Sequence, residues 1–322
     1  MKLRFLRSSG FLLCVLAGAG GATLCSQSRG SLTEHSTAME VLYGKPYVMV
    51  TINGRGPYRF ILDTGTGGEV LITPELAREL ALPATGKATL SDPSGEGSKK
   101  KVPVVLIDTL ELAGVRFNTL EAVEHTFQSE AGQAEGLLGF ALFRDYLLTL
   151  DFPNRRMGLS TGALTPDGEK TVLPFTLQSG VPVTQLRLSD QVAVQALLDS
   201  GGAGLEIPEQ VAAPLKYDVD PVLFAVGHSI CTTFQIKAAK LGTDVKLGRY
   251  VFAHPVVQIH SAFPVANFGA WPMQGFAITF DQENQLVRFE SAHDTFSLGP
   301  PPSPPHLINQ ARQQAEDLVP VD

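Results

Sequence analysis

Two tripeptides of this sequence place an aspartate directly before a hydroxyl residue and a glycine. Asp63 begins an Asp-Thr-Gly tripeptide and Asp199 begins an Asp-Ser-Gly tripeptide, and a short apolar run precedes each one. Such a run predicts a buried strand, which would carry the carboxylate out of the core to the edge of a sheet. One such tripeptide usually forms only a β-turn, whereas two could supply a pair of carboxylates for acid–base chemistry.

The two tripeptides occupy matching places in a sequence that repeats. Asp199 lies 136 residues after Asp63, and the strand before each is predicted to pair with an earlier one through a polar turn, Asn53-Gly54 or Ser189-Asp190. Further on, residues 139–159 align without a gap to residues 269–289, a shift of 130. We interpret the chain as one β-rich unit built twice, joined near residues 161–170.

Smaller features repeat as well. Thr73 followed by Pro74 predicts a helix N-cap and first helical residue, and Ile207-Pro208 is the expected counterpart, although isoleucine cannot cap. Asn154 and Asn284 are predicted in turns between two strands. The fold class expected from these signals is mainly antiparallel β with few short helices.

The duplication has a consequence for the two carboxylates. Duplicated units tend to pack about a pseudo-twofold axis, and residues near that axis face each other as in an isologous dimer. Asp63 and Asp199 would then be so close that ionising both at once is unfavourable. One pKa of the pair therefore rises and the other falls. The ionised group could take a proton from a water while the neutral one donates to a carbonyl oxygen. This arrangement predicts amide hydrolysis without a metal or a covalent intermediate.

The pattern resembles the retropepsin and pepsin superfamily of aspartic peptidases over roughly residues 41–297, and in particular exported bacterial-type proteins with two lobes in one chain. The resemblance is carried by residues 60–66 and 196–201, together with the apolar-apolar-Gly segment that ends at Gly139 and its counterpart that ends at Gly269.

The resemblance implies duplicated closed-barrel lobes related by a pseudo-twofold axis, with a polypeptide substrate between them. The lobes would span residues 41–165 and 166–297. Asp63 and Asp199 would be catalytic, and Thr64 and Ser200 would brace the two turns through their hydroxyls. The supporting residues would be Thr64, Gly65, Thr66, Ser200, Gly201, Gly139 and Gly269.

The second lobe departs from the family pattern in two places. Gly202 stands where the first lobe has Thr66, which removes a hydrogen bond expected at Asp199, and Asn267 stands where the first lobe has Leu137. The mobile hairpin over the substrate is expected at residues 91–101, and residues 227–233 occupy the comparable place in the second lobe.

Three alternatives follow from these departures and from the local sequence. The chain could be a two-lobed protein that binds extended peptides but cuts them weakly or not at all. Ser200 could be the nucleophile of a serine peptidase, although the sequence around it lacks the partner contexts that such a triad needs. Finally, the first lobe alone could be catalytically competent, with active dimers forming through it.

Composition limits the partners. The 322 residues carry a net charge of −7, which argues against a nucleic-acid partner. The histidines show no metal-binding spacing, so neither a metal nor another cofactor is expected, and the predicted partner is a polypeptide substrate bound by a monomer.

The two ends of the sequence differ from the repeated part. Basic residues followed by a short apolar stretch predict a signal peptide at residues 1–22, with a tail at residues 23–40, so we expect an exported protein, periplasmic or secreted. No later segment has the apolar length of a transmembrane helix. Residues 298–322 begin with a proline-rich run and are expected to form a disordered tail.

Overall fold

The computed structural model describes residues 35–90, 99–126, 134–228 and 233–302. Strands make up 57% and helices 7% of the structure, which confirms the prediction of a mainly β protein with few short helices. Among the described residues, no helix combines the length and the hydropathy needed to cross a bilayer. From His35 onward these residues belong to one compact unit.

The first half contains eleven strands, one short helix and a 3₁₀ turn. They are β1 His35–Ala38, β2 Glu40–Leu42, β3 Lys45–Ile52, β4 Arg55–Asp63, β5 Val70–Ile72, α1 Pro74–Glu79, β6 Ala84–Leu90, β7 Lys100–Leu112, β8 Val115–Glu124, β9 Gly136–Gly139, the 3₁₀ turn Phe140–Phe143, β10 Leu147–Asp151 and β11 Arg156–Ser160.

The second half follows the same order of elements with more and shorter strands. They are β12 Val172–Pro174, β13 Thr176–Gln178, β14 Val181–Arg187, β15 Ala193–Asp199, β16 Leu205–Pro208, α2 Glu209–Ala212, β17 Tyr217–His228, β18 Thr233–Leu241, β19 Val245–Leu247, β20 Tyr250–Phe252, β21 Val256–His260, β22 Ala266–Gly269, α3 Ala270–Met273, β23 Ala277–Asp281, β24 Leu286–Glu290 and β25 Thr295–Phe296.

The first half forms a sheet in the order β2-β3-β4-β9-β5-β8-β7-β6, and an additional pairing of β3 with β7 closes six of these strands into a ring. The predicted hairpin at Asn53-Gly54 is confirmed, since both residues have positive φ, of 49° and 74°, between β3 and β4. Alternate side chains of these strands, such as Val48, Val50 and Ile52, are buried in the ring.

The second half forms a sheet in the order β17-β18-β21-β16-β22-β15-β14-β19-β20-β25, with β13 paired to β14. Its centre repeats the pairing of the first half. In the first half β9 pairs parallel with β4 and antiparallel with β5, and in the second half β22 pairs parallel with β15 and antiparallel with β16. The strands that end in the two aspartates therefore have equivalent neighbours.

A third sheet takes strands from both halves, in the order β1-β11-β10-β23-β24-β12. At its centre β10 and β23 pair antiparallel with Thr149 opposite Thr279, and their hydroxyls lie 3.0 Å apart. These are matching residues of the repeat. The predicted turns at Asn154 and Asn284 are also confirmed, because each asparagine donates its backbone and side-chain N–H groups to the aspartate that ends the preceding strand.

The repeat alignment is wrong by one residue at the short helices. Thr73 caps α1, accepting a hydrogen bond from the amide of Leu76 at 3.3 Å, as predicted. In the second half, however, Pro208 occupies the N-cap of α2 and Ile207 is still in the strand β16. Neither residue has a side-chain acceptor for the first helical amides, and α2 is a single turn.

Both predicted tails are shorter than the sequence suggested. Residues 35–38 of the expected N-terminal tail form β1, which pairs with β11. At the other end, the carbonyl of Leu298 accepts from the amide of Val256 at 2.8 Å, and Pro301 is buried. The predicted signal peptide at residues 1–22 and the sequence from residue 303 lie outside the described residues. Residues 91–98 and 229–232, in the two hairpins expected over the substrate, also lie outside them.

Candidate active site

Asp63 and Asp199 are each the last residue of a central strand. Asp63 ends β4 and lies beside Gly139 of the parallel strand β9, while Asp199 ends β15 and lies beside Gly269 of the parallel strand β22. The residues before each aspartate are buried and apolar, whereas both aspartates are partly exposed. The sheet therefore fixes each backbone and presents the carboxyl group at its edge.

Thr64 and Ser200 connect the two turns through four buried hydrogen bonds. The amide of Thr64 donates to Ser200 Oγ and the amide of Ser200 donates to Thr64 Oγ1, both at 3.0 Å. The hydroxyl of Thr64 donates to the carbonyl of Leu198, and that of Ser200 to the carbonyl of Leu62, both at 2.7 Å. Neither side chain is exposed to solvent, so the two turns are held in one fixed geometry.

Each carboxyl group packs against the glycine of the opposite turn. A Cβ added to Gly65 would lie 2.3 Å from Asp199 Oδ1, and one added to Gly201 would lie 2.4 Å from Asp63 Cγ. Neither glycine has a positive φ, so neither is required here for a special backbone conformation. These glycines are required because each leaves space for the carboxyl group of the other half.

The carboxylate of Asp63 is held by its own turn. The amide of Gly65 donates to Oδ1 and the hydroxyl of Thr66 donates to Oδ2, both at 2.9 Å. One oxygen is therefore fixed by the backbone and the other by a side chain.

Asp199 is held by two backbone amides and by a residue outside its own turn. The amides of Gly201 and Gly202 donate to Oδ1 at 2.9 and 2.8 Å. The side-chain amide of Asn267, on the neighbouring strand β22, donates to Oδ2 at 2.9 Å. The hydrogen bond that a hydroxyl at position 202 would have supplied is therefore present, but it comes from another strand.

Gly139 and Gly269 allow the neighbouring strand to lie close to each turn. A Cβ on Gly139 would lie 2.2 Å from the carbonyl oxygen of Gly68, and one on Gly269 would lie 2.6 Å from that of Gly204. The amide of Gly269 donates to that same oxygen of Gly204 at 2.9 Å. Both glycines thus permit the backbone contacts that support the loop after each aspartate.

The electrostatics of the pair favour one neutral carboxyl group. Desolvation and then the negative charge of Asp63 raise the pKa of Asp199 from 3.8 to about 7, although the hydrogen bond from Asn267 acts in the opposite direction. Asp199 therefore retains its proton under weakly acidic conditions, where an ordinary aspartate is ionised. A proton donor and a proton acceptor can coexist in this site.

The comparison with protein families agrees with this geometry. Residues 48–142 match the model of a family described as aspartyl protease. This match supports the assignment of the matched segment to the aspartic peptidase superfamily. The matched segment contains Asp63 and Gly139 and ends before Asp199. Comparison with curated proteins gave no match.

The match also supports a protease, and hence a hydrolase, domain in this segment. The geometry of Ser200 gives no support to a serine nucleophile, because its hydroxyl is buried and donates to a backbone carbonyl. No histidine in the described part of the chain is hydrogen-bonded to it. Within that part, no three His, Cys, Asp or Glu side chains are grouped in a way that could hold a metal ion.

A buried polar cluster beside Asp199 was missed by the sequence interpretation. Glu206 on β16 lies opposite Asn267 in the sheet, and its carboxylate is 3.0 Å from Nε2 of the buried His260. The matching strand in the first half is the apolar run Val70–Ile72. A signal was present in the sequence, since Glu206 and Asn267 are polar residues on strands whose first-half counterparts are entirely apolar.

Proposed function

We propose that this protein is an aspartic endopeptidase in which Asp63 and Asp199 activate a water for attack on a peptide bond. The supporting observation is the reciprocal approach of the two turns, in which each carboxyl group packs against the glycine of the opposite turn. We further propose that the two halves are duplicated barrel lobes related by a pseudo-twofold axis. The reciprocal bonds of Thr64 and Ser200 and the pairing of Thr149 with Thr279 support that relationship.

The raised pKa of Asp199 supports a division of roles between the two carboxyl groups. Asp199 holds the proton and donates it to the carbonyl oxygen of the substrate, while Asp63 takes a proton from the water as the water oxygen bonds to the carbonyl carbon. The product of this step is a neutral tetrahedral diol, with the proton of the water on Asp63. Asp63 then returns a proton to the leaving nitrogen as the C–N bond breaks, and Asp199 recovers its proton from the hydroxyl that becomes the new carbonyl.

The two hairpins β6–β7 and β17–β18 are proposed to lie along the bound peptide, since they follow the catalytic strands in equivalent positions. We also propose that the protein is exported, on the basis of the N-terminal sequence described above. N-terminal sequencing of protein purified from its host would test export. Retention of residues 1–22 in the purified protein would refute it.

Cleavage of a peptide library by the wild type, Asp63→Asn and Asp199→Asn tests the catalytic proposal. Both variants should lose about 10²–10⁴-fold in kcat/KM, the usual contribution of general acid–base groups. Asp190→Asn is the matched control, because the side chain of Asp190 is 90% exposed and should leave cleavage unchanged. Pepstatin should inhibit the wild type. Full activity in either variant of the pair would refute the mechanism.

The same experiment distinguishes the alternatives. A wild type that binds the library peptides without cutting them would be a peptide-binding protein. Cleavage that survives both aspartate variants but not Ser200→Ala would indicate a serine peptidase. Activity that depends on Asp63 alone and rises with the square of protein concentration would indicate dimers formed through the first lobe.

A further inference from the structure

The two departures of the second half from the family pattern are one structural change. Gly202 lacks the hydroxyl that Thr66 provides in the first half, and Asn267 is polar where Leu137 is apolar. The side-chain amide of Asn267 donates to Asp199 Oδ2 at 2.9 Å, which matches the 2.9 Å bond from Thr66 to Asp63 Oδ2. Each half thus supplies one side-chain donor to Oδ2 of its own aspartate, from the turn after the strand in the first half and from the neighbouring strand β22 in the second.

Steric contacts link the two substitutions. A Cβ at position 202 would lie 2.6 Å from Nδ2 of Asn267 and 2.6 Å from Oδ2 of Asp199. No side chain fits at position 202 while the amide of Asn267 occupies that space. A hydroxyl residue there requires a different side chain at position 267, as in the first half.

The environment of Asn267 indicates why an amide lies at this position. Its Oδ1 is buried and, in the described part of the chain, has no hydrogen-bond partner. A buried acceptor without a partner opposes folding, so an apolar residue would favour stability there. Asn267 therefore contributes to the site and not to the core.

We propose that Asn267 is a positioning residue for Asp199, which replaces the missing hydroxyl at position 202 and fixes the orientation of the carboxyl group that donates the proton. The catalytic consequence of this inference rests on the proposed function. The hydrogen bond between Asn267 and Asp199 does not depend on it. The ionisable groups that act on Asp199 within the described residues are Asp63 and Glu206, both of which raise its pKa, while the bond from Asn267 lowers it. Glu206 is itself within 3.0 Å of His260.

The test compares Asn267→Leu, which reproduces the apolar residue of the first half, with the wild type and with Gln258→Leu. Gln258 is the matched control, because its amide is also buried in this sheet, with an unpartnered oxygen, and is not bonded to Asp199. In Asn267→Leu, kcat should fall about 10-fold with little change in KM, as expected for a misoriented catalytic group. The basic limb of the pH–rate profile should move to higher pH, because the bond that lowers the pKa of Asp199 is gone.

A second variant pair separates positioning from folding. Asn267→Leu should fold and melt at a higher temperature than the wild type, because the unpartnered oxygen is removed. The double variant Gly202→Thr with Asn267→Leu transfers the first-half arrangement to the second half. It should recover most of the lost kcat, and the basic limb of its pH–rate profile should return toward that of the wild type. A pH profile in Asn267→Leu identical to that of the wild type would overturn the proposal, as would an equal shift in Gln258→Leu.

Titration of the Asp199 carboxyl by NMR, with aspartate labelled in the carboxyl carbon and Asp199→Asn used to assign its signal, gives a readout independent of cleavage. The midpoint should be higher in Asn267→Leu than in the wild type. An unchanged midpoint would refute the role of Asn267 even if the protein cleaves peptides. A shifted midpoint in a protein that cuts no peptide would refute the proposed function but support the contact.

Discussion

Thr64 and Ser200 each accept, through the side-chain oxygen, a hydrogen bond from the backbone amide of the other, at 3.0 Å in both directions. The two residues are 136 positions apart and fully buried. Since each hydroxyl also donates to a carbonyl of the opposite half, removing one of them leaves several buried groups without partners. The position of each aspartate therefore depends on the other half of the chain.

Thr64→Val should destabilise the protein by about 3 kcal/mol, because each buried polar group left unpaired costs about 1–3 kcal/mol. Ser200→Ala should have a similar effect. The double variant should cost at least about 1 kcal/mol less than the sum of the single variants, as expected for residues in one network. Urea unfolding measures all three, with the exposed Thr89→Val as a control expected to change stability by less than about 0.5 kcal/mol. Strict additivity of the two effects would contradict the reciprocal bonding.

The pH dependence of the free energy of unfolding should report the ionisation of Asp199. Its pKa is 3.8 in the unfolded chain and is raised to about 7 in the folded protein, so the folded state holds the proton more tightly. The contribution to stability is fully present below about pH 4 and is lost as the pH rises to about 7. The free energy of unfolding should therefore fall across this range in the wild type, and less steeply in Asp199→Asn. Parallel curves for the two proteins would show that the carboxyl group is not perturbed.

Gly65→Ala and Gly201→Ala should each abolish most of the cleavage activity. The new methyl group would overlap the carboxyl group of the opposite aspartate, and a displacement of about 1 Å in a catalytic group can cost about 10²-fold in rate. Gly299→Ala is the control, because nothing lies within 4 Å of a Cβ at that position. Normal kcat in Gly65→Ala would mean that the carboxyl group of Asp199 does not pack against Gly65 as described.

Asp167 should stabilise the segment that connects the two halves. Its carboxylate accepts hydrogen bonds from the amides of Lys170, Thr171 and Val172 and from the hydroxyl of Thr171, at 2.7–3.1 Å. These bonds outweigh desolvation, which acts in the opposite direction, and lower its pKa from 3.8 to about 2.

Asp167→Asn should therefore reduce stability at neutral pH by about 1–2 kcal/mol, toward the lower end of the range for hydrogen bonds to a charged group, because Asp167 is partly exposed. Because the folded-state pKa is depressed, the contribution is present above about pH 4 and is lost as the pH falls toward 2. Thermal unfolding at both ends of this range measures the difference, which should disappear in acid. A constant difference at every pH would show that the charge of Asp167 is not responsible.

The sequence was sufficient to predict the mainly β class and to single out the two aspartate turns that the structure brings together. An aspartate after a buried strand is a local signal, and the equal spacing of its neighbours in both halves made Asp63 and Asp199 a pair. The asparagine turns at Asn154 and Asn284 were predictable for the same reason, since their contacts lie within three residues.

The contact of Asn267 with Asp199 was not predictable, because it joins residues 68 positions apart through the pairing of two parallel strands. From the sequence alone, Gly202 and Asn267 were two unrelated departures from the family pattern. Only the geometry shows that the amide occupies the space left by the glycine. Likewise, the requirement for Gly65 is set by a carboxyl group from the other half, and no local rule for glycine contains that information.

The presence of both halves in one chain has an evolutionary consequence. In an assembly of two identical subunits, every substitution would appear in both turns at once, and a glycine at the position of Thr66 would remove the side-chain donor from both aspartates together. Here the side-chain donor to Asp63 is a threonine of its own turn, while the donor to Asp199 is an amide on a neighbouring strand. A single chain allows the surroundings of the two aspartates to be adjusted independently, each by mutations that leave those of the other unchanged.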